Sequence, residues 1–184
     1  MQVVAYCEEK TSRNNLDHHT ESILHYSLQD ALPIGHTFAL NTELGTLSYI
    51  SSGEEVFESQ AAAAPYDQAG SKVVPQLLAQ QQFTASELSI LLPLLNSYPY
   101  YCPYEVLYAS FYNGEVTEMI VGHCRQRLQH ALEIGTWDQE MRPVRNVLSR
   151  TRIKLRALGV NVTSILETGC ILRVLPAEMP VRSA

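Results

Sequence analysis

A run of basic side chains occupies residues 141–160, in the stretch MRPVRNVLSRTRIKLRALGV. It contains six basic residues and no acidic one: Arg142, Arg145, Arg150, Arg152, Lys154 and Arg156. The chemistry of such groups is binding rather than bond breaking, because guanidinium groups hold phosphates and carboxylates through paired, charge-assisted hydrogen bonds. Since no acid within the stretch is available for i,i+4 pairing, we expect these charges to face a polyanion.

Acidic and basic residues are distributed unevenly along the chain, and the basic ones are concentrated toward its C-terminal end. The formal net charge is −6, yet residues 1–124 contain three basic and fourteen acidic side chains, whereas residues 125–184 contain ten basic and five acidic ones. A binding face for anions is therefore expected in the C-terminal third of the chain.

Apolar residues recur at helical spacing beneath the basic ones, which predicts an amphipathic helix over residues 141–158 that ends at Gly159. At 3.6 residues per turn, the apolar set falls within about 100° of one another. Its members are Val144, Val147, Leu148, Thr151, Leu155 and Leu158. The other side of the helix carries Arg142, Arg145, Ser149, Arg152 and Arg156, flanked by Asn146 and Arg150.

Three helices are predicted before this one, and a hairpin after it. The first begins with a capping box at Thr84 and Glu87, and Pro93 is expected to kink or shorten it. The second begins at Pro103 and ends at Asn113-Gly114, and the third covers residues 116–134. The stretch NVTSILETGCILRVL predicts two strands joined by a turn at Glu167, Thr168 and Gly169.

The N-terminal part of the chain shows a different pattern of apolar and polar residues. Residues 36–60 alternate in short stretches broken by Gly45 and Gly53, which predicts short antiparallel strands. Residues 61–82 are expected to be a linker or loop, with a brief helical segment around 74–81. Residues 1–35 are an extension whose structure the pattern leaves open, and residues 177–184 are expected to be a flexible tail.

Several function classes lack a signature in the chain. There is no nucleophile elbow, P-loop, Rossmann glycine pattern or HExxH motif, so we expect no enzyme and no cofactor. The histidines and cysteines show no zinc-ligand spacing, and no metal is expected. The four cysteines are scattered, which favours a reducing cytoplasm. No apolar run has the length of a membrane span, and no secretory signal is visible.

Short strands, helices and a C-terminal hairpin follow one another in the order of a winged helix-turn-helix. We therefore predict an α+β fold with small N-terminal antiparallel strands, a helical core over residues 83–176 and a β-hairpin wing. A helix that is apolar on one side and basic on the other suits the major groove of DNA, which admits one helix. The side chains expected there are Arg145, Asn146, Ser149, Arg150 and Arg152, with Lys154 in the same basic set and Arg142 and Arg156 placed at phosphates.

Residues 83–175 resemble the DNA-binding domain of OmpR/PhoB-type response regulators. FTASELSILLPLLNSYPYYCPYEVLYASFY is similar to the capped first helix and the short positioning helix of that family. VRNVLSRTRIKLRALGVNVTSILETGCILRV is similar to its recognition helix and wing. The resemblance implies a regulator of transcription that binds double-stranded DNA. The acidic N-terminal half is expected to face away from DNA, as a contact surface for RNA polymerase, a signalling protein or a second copy of the chain, and the resemblance also implies a homodimer.

The chain departs from the family pattern at four places. The turn of the hairpin offers Glu167 and Thr168 where the family has a basic residue, and Gly169-Cys170 replaces Gly-Tyr. The helix at 116–134 looks like an insertion between the positioning and recognition helices. The first 82 residues are too short for a receiver domain and show no phosphoacceptor cluster.

Two other interpretations of the basic helix remain open. It is compatible with a solvated surface helix that has no partner. It is also compatible with a winged-helix module that docks an acidic protein surface without binding DNA, and an acidic turn at Glu167 suits that alternative. Steep salt dependence of binding distinguishes DNA from the protein partner.

Overall fold

The computed structural model describes residues 22–28, 31–53 and 74–175. Within these ranges the chain has an α+β fold of four helices and two antiparallel sheets. The helices are α1 (Ala85–Asn96), α2 (Tyr104–Asn113), α3 (Glu118–Glu133) and α4 (Trp137–Arg156). The strands are β1 (Ile23–Tyr26), β2 (His36–Asn41), β3 (Thr46–Ser51), β4 (Gln76–Gln82), β5 (Tyr101–Pro103), β6 (Val160–Ile165) and β7 (Gly169–Val174). Most of the expected N-terminal extension, most of the expected linker and the expected tail lie outside the described residues.

The first sheet has the order β1-β2-β3-β4, and every neighbouring pair is antiparallel. Between β2 and β3 the chain turns at Gly45. Its φ is +65°, a backbone conformation that residues with a side chain rarely adopt. This glycine also accepts a hydrogen bond from the Phe83 amide at 2.6 Å, which draws the start of α1 onto the sheet. Phe38, Leu40 and Leu47 are buried in one hydrophobic cluster that continues through the helices.

The expectation of a linker or short helix over residues 61–82 is wrong for residues 76–82. These residues form β4, an edge strand whose register against β3 shifts between Tyr49 and Ile50. Glutamine and leucine are compatible with a helix by intrinsic propensity. The edge of β3, however, offers backbone hydrogen bonds, and local propensity takes no account of such a distant partner. The tertiary partner therefore decides the conformation here.

α1 begins as the sequence predicts, with both hydrogen bonds of the capping box present. The Thr84 amide donates to Glu87 Oε2 at 2.8 Å, and the Glu87 amide donates to Thr84 Oγ1 at 3.4 Å. Pro93 lies inside the helix, which nevertheless continues to Asn96. The Pro93 ring is buried with Ile90, so packing compensates for the lost backbone hydrogen bond.

α3 lies between α2 and α4 in sequence, where the sequence predicts an inserted helix. Two arginines on its exposed side connect it to its neighbours. Arg125 Nε donates to Glu105 of α2 at 3.0 Å, and Arg127 donates two hydrogen bonds of 3.2 Å to Glu140 of α4. Because Tyr108 of α2 also donates to Glu140, at 2.8 Å, this carboxylate links three helices.

α4 begins at Trp137, four residues earlier than predicted. Pro143 suits a first helical turn, which is why the sequence places the start near it, but the proline lies in the helix interior. The additional turn is held from outside the helix: the Trp137 ring packs edge-on against Tyr104 at 5.5 Å, and Glu140 receives the hydrogen bonds from α2 and α3. Tertiary contacts therefore set the start of the helix.

The second sheet has the order β5-β7-β6, and β6 and β7 form the predicted hairpin. Thr168 donates its amide to the Ile165 carbonyl at 3.2 Å and so closes the turn. β5 has only three residues and no sequence signal, because its paired residues in β7 lie 66 to 70 positions further along the chain. A Cβ atom on Gly169 would overlap the Cys102 carbonyl, so glycine permits this close approach of β5 and β7.

Candidate nucleic-acid interface

One side of α4 is buried in the core, as the apolar spacing predicts. Its buried residues are Met141, Val144, Val147, Leu148, Thr151 and Leu155, and Leu158 beyond the helix is buried as well. Thr151 donates its hydroxyl to the Val147 carbonyl at 3.0 Å, so its polar group is satisfied within the helix. A helix held along its whole length presents its other side in a fixed orientation.

The opposite side of α4 is exposed, and we call it the outward face. Its residues are Arg142, Asn146, Ser149, Arg150, Ile153 and Arg156. Five of them are among the residues that the sequence predicts for DNA contact. Among the described residues, no carboxylate lies within ion-pair distance of the three arginines of this face. Within the described part of the chain, their charges are therefore available to an external anion.

Arg145 lies at the border of this face and has an acidic partner. Its guanidinium contacts the Asp138 carboxylate at 2.8 Å and lies over the Trp137 ring, 4.5 Å from its centroid. The expectation that the basic residues lack an acid for pairing is thus wrong for Arg145, because α4 extends into the acidic residues before the basic stretch. Binding DNA through Arg145 requires that Asp138 release it.

Arg152 is half-buried and turned toward the hairpin. Its guanidinium donates to Ser164 Oγ of β6 and lies 3.8 Å from Cys170 Sγ of β7. Its Nε atom is buried and has no hydrogen-bond partner among the described residues. These contacts connect α4 to the hairpin, so the side chain fixes how the two elements sit together.

Lys154, which the sequence predicts for the DNA-contacting set, is turned away from the outward face and is engaged within the protein. Its ammonium contacts the Glu87 carboxylate at 2.6 Å and donates to the Gln82 carbonyl at 2.8 Å. The Glu87 side chain is only 3% exposed. Burial alone would raise the pKa of Glu87, but hydrogen bonds from Lys154 and Thr84 outweigh burial and hold that pKa below its ordinary value.

The turn of the hairpin carries the residues predicted for the wing. Glu167 and Thr168 are exposed, with Glu167 at a positive φ of 54°, whereas Gly169 is buried against β5 and unavailable for an external contact. Leu166 in the same turn is 84% exposed. The turn therefore offers an apolar and an acidic side chain, and no basic one.

Sequence reasoning missed two features of the site. Ile153 belongs to the outward face, although the helical angles alone place it opposite the buried side. Trp137 and Asp138 hold Arg145, which no signal within the basic stretch reveals. Within the described part of the chain, no three His, Cys, Asp or Glu side chains are grouped closely enough to hold a metal ion. None of the helices there has the length and apolar character needed to cross a membrane.

Comparison of the chain with protein-family models, curated proteins and solved structures found no match.

Proposed function

We propose that this chain binds double-stranded DNA through the outward face of α4 and regulates transcription. The observation that carries the proposal is the set of three outward-face arginines whose charges no described carboxylate neutralises. α4 has 20 residues and is about 30 Å long, and one such helix fits the major groove, which is about 12 Å wide. The proposed function requires neither a cofactor nor a catalytic step.

The side chains of the outward face divide by chemistry into two roles. Arg150 and Asn146 are of the types that read guanine and adenine edges, and Ser149 lies between them on the same side of the helix. Arg142 and Arg156 lie at the two ends of the outward face and suit phosphates, which fix register without reading sequence. Arg145 and Arg152 act as positioning residues, since both are engaged within the protein.

We further propose that the arrangement is a winged helix related to OmpR/PhoB-type domains. Support comes from the order of four strands, a capped helix, a short strand, a second helix, the basic helix and a terminal hairpin. α3 is an insertion in that pattern. The hairpin supplies the wing, and its contact with DNA differs from the family pattern because Leu166 and Glu167 occupy the turn.

The experiment is a fluorescence-anisotropy titration of a random duplex pool at several salt concentrations. We compare the wild type with the double variant Arg142→Ala/Arg156→Ala, which removes the two side chains assigned to phosphates. The matched control is Arg125→Ala/Arg127→Ala on α3, because it changes the net charge equally and removes arginines that are paired within the protein. Circular dichroism verifies that all three proteins are folded.

We expect salt-sensitive binding by the wild type and the control. The outward-face variant should bind more weakly, and its slope of log affinity against log salt should be shallower by about 2, roughly one per lost phosphate contact. No binding to duplex at low salt contradicts the proposal. Equal loss in both double variants also contradicts it, since net charge rather than the outward face would then explain the affinity.

The exposed Leu166 and Glu167 favour a second candidate, a module that docks a protein surface. In that case the arginines of the outward face meet an acidic partner, and the hairpin turn adds an apolar contact. Absence of duplex binding together with an intact fold is the result that supports this candidate.

A further inference from the structure

Ile153 is an apolar residue placed among charged and polar ones. Its side chain is 69% exposed, and it is the one large apolar side chain of α4, a fully described helix, that is exposed. Ser149 and Arg150 lie one helical turn before it and Arg156 one turn after it, on the same side of the helix. Ile153 therefore lies near the centre of the outward face.

The fold does not require an apolar side chain at position 153. The core contacts of α4 are made by the six buried residues on the other side, and Ile153 takes no part in the hydrophobic cluster. A β-branched side chain is also a slightly weaker helix former than the Lys, Arg or Gln that usually occupies an exposed helical position. An isolated exposed apolar residue is common, but this one is surrounded by groups suited to phosphates and base edges.

We propose that Ile153 contacts the C5-methyl group of a thymine, and that this contact gives the chain a preference for a thymine-containing site. The inference rests on the proposed function, because it places the outward face of α4 in the major groove. Among the groups that the four bases present in that groove, the thymine methyl is the apolar one. The remaining base-edge groups there are hydrogen-bond donors and acceptors.

The discrimination has two physical sources. Isoleucine against the methyl group removes apolar surface of both from water, which is favourable. Isoleucine against any other base edge removes water from a donor or acceptor without replacing the hydrogen bond, which is unfavourable. Asn146 lies two turns before Ile153 on the same face, and its amide suits adenine. The two side chains together predict a site that contains A·T pairs.

The test isolates the methyl group itself. Duplexes are first enriched for binding from a random pool, and each thymine of the best-bound duplex is then replaced in turn by deoxyuridine, which lacks only that methyl. Affinities are measured for the wild type, for Ile153→Ala and for the control Ile134→Ala. Ile134 is 58% exposed and lies beyond the end of α3, so the control makes the same substitution away from the outward face.

We expect one or two deoxyuridine positions to weaken wild-type binding about fourfold, the loss that corresponds to one buried methyl group. Ile134→Ala should show the same loss at the same positions. Ile153→Ala should bind the thymine duplex about as weakly as the wild type binds the deoxyuridine duplex, and it should be indifferent to the replacement. That loss of coupling identifies Ile153 as the side chain that contacts the methyl.

Two results overturn the inference while leaving the proposed function intact. Either every replacement leaves wild-type affinity unchanged, or Ile153→Ala retains the same sensitivity to deoxyuridine as the wild type. A best-bound duplex without thymine overturns it as well. If no duplex binds at low salt, the proposed function itself fails, and the inference fails with it.

Discussion

The ion pair between Lys154 and Glu87 joins α4 to α1 through a carboxylate that is almost fully buried. Replacing Lys154 by Met leaves this carboxylate without its cation, and we expect the free energy of unfolding to fall by about 2 kcal/mol. The cost is below that of a fully buried pair because Lys154 is 30% exposed. Urea unfolding measures it.

The same variant also tests where Lys154 acts. Since its ammonium is engaged within the protein, we expect Lys154→Met to leave the salt dependence of duplex binding unchanged. The double variant Glu87→Gln/Lys154→Met should recover part of the lost stability, because it removes the unpaired charge. A shallower salt slope for Lys154→Met would show that Lys154 contacts DNA.

Cys102 illustrates how burial controls the reactivity of a side chain. Burial raises the pKa of its thiol to about 12, so the reactive thiolate is scarce at neutral pH. We expect Cys102 to resist alkylation by iodoacetamide at about pH 8 in the folded protein and to react in urea. Peptide mapping by mass spectrometry distinguishes it from the other cysteines. Rapid alkylation without urea would contradict the packing of β5 against β7.

The pairing of β5 with β7 depends on a missing side chain. Gly169→Ala places a Cβ atom against the Cys102 carbonyl, and the backbone of β5 must move to accommodate it. We expect a loss of about 2 kcal/mol in the free energy of unfolding. The control is Gly122→Ala in the second turn of α3, where the new Cβ would point into open space. There we expect a gain of about 0.5–1 kcal/mol, because alanine favours the helix.

The two substitutions should therefore change the free energy of unfolding in opposite directions, with a loss at Gly169 in β7 and a gain at Gly122 in α3. If Gly169→Ala were as stable as the wild type by urea unfolding, the close approach of the two strands would be wrong. The same result would weaken the placement of Arg152, whose contacts with Ser164 and Cys170 require β6 and β7 in this position.

The stability of the whole molecule should depend on pH through two carboxyl groups that connect its elements. The pKa of Glu87 is lowered because hydrogen bonds from Lys154 and Thr84 outweigh burial, and the pKa of Glu140 is lowered first by the hydrogen bond from Arg127 and then by that from Tyr108. Since each folded pKa lies below the ordinary 4.5, each carboxylate stabilises the folded state above that pH. This stability is lost as the pH falls through the folded pKa.

We therefore expect the urea midpoint to decrease as the pH is lowered below the ordinary carboxyl pKa of 4.5. Glu87→Gln should be less stable at neutral pH and should lose less on acidification, because it has no proton to take up at that position. Glu133→Gln, at an exposed position, serves as the control and should follow the wild type. An acid profile of Glu87→Gln as steep as that of the wild type would show that Glu87 does not contribute.

Much of the helical part was predictable because its causes are local. The capping box needs only Thr84 and Glu87 three residues apart, and the buried side of α4 follows from the 3.6-residue period. The hairpin follows from two apolar runs around a turn. β4 and β5 were not predictable, because each becomes a strand only through a distant partner.

The sequence by itself determined that a helix near residues 141–158 has a buried side and a basic side, since spacing along one chain decides both. Only the tertiary structure decided which basic side chains of that helix remain available for an external partner. Lys154 turns to Glu87, Arg145 to Asp138 and Arg152 to Ser164, whereas Arg142, Arg150 and Arg156 stay exposed. The physical reason is that a long, charged side chain takes the nearest partner in space. Only the fold decides which partner that is: Glu87 comes from α1, far from Lys154 in sequence, and Ser164 comes from β6, which must fold back along α4 to reach Arg152.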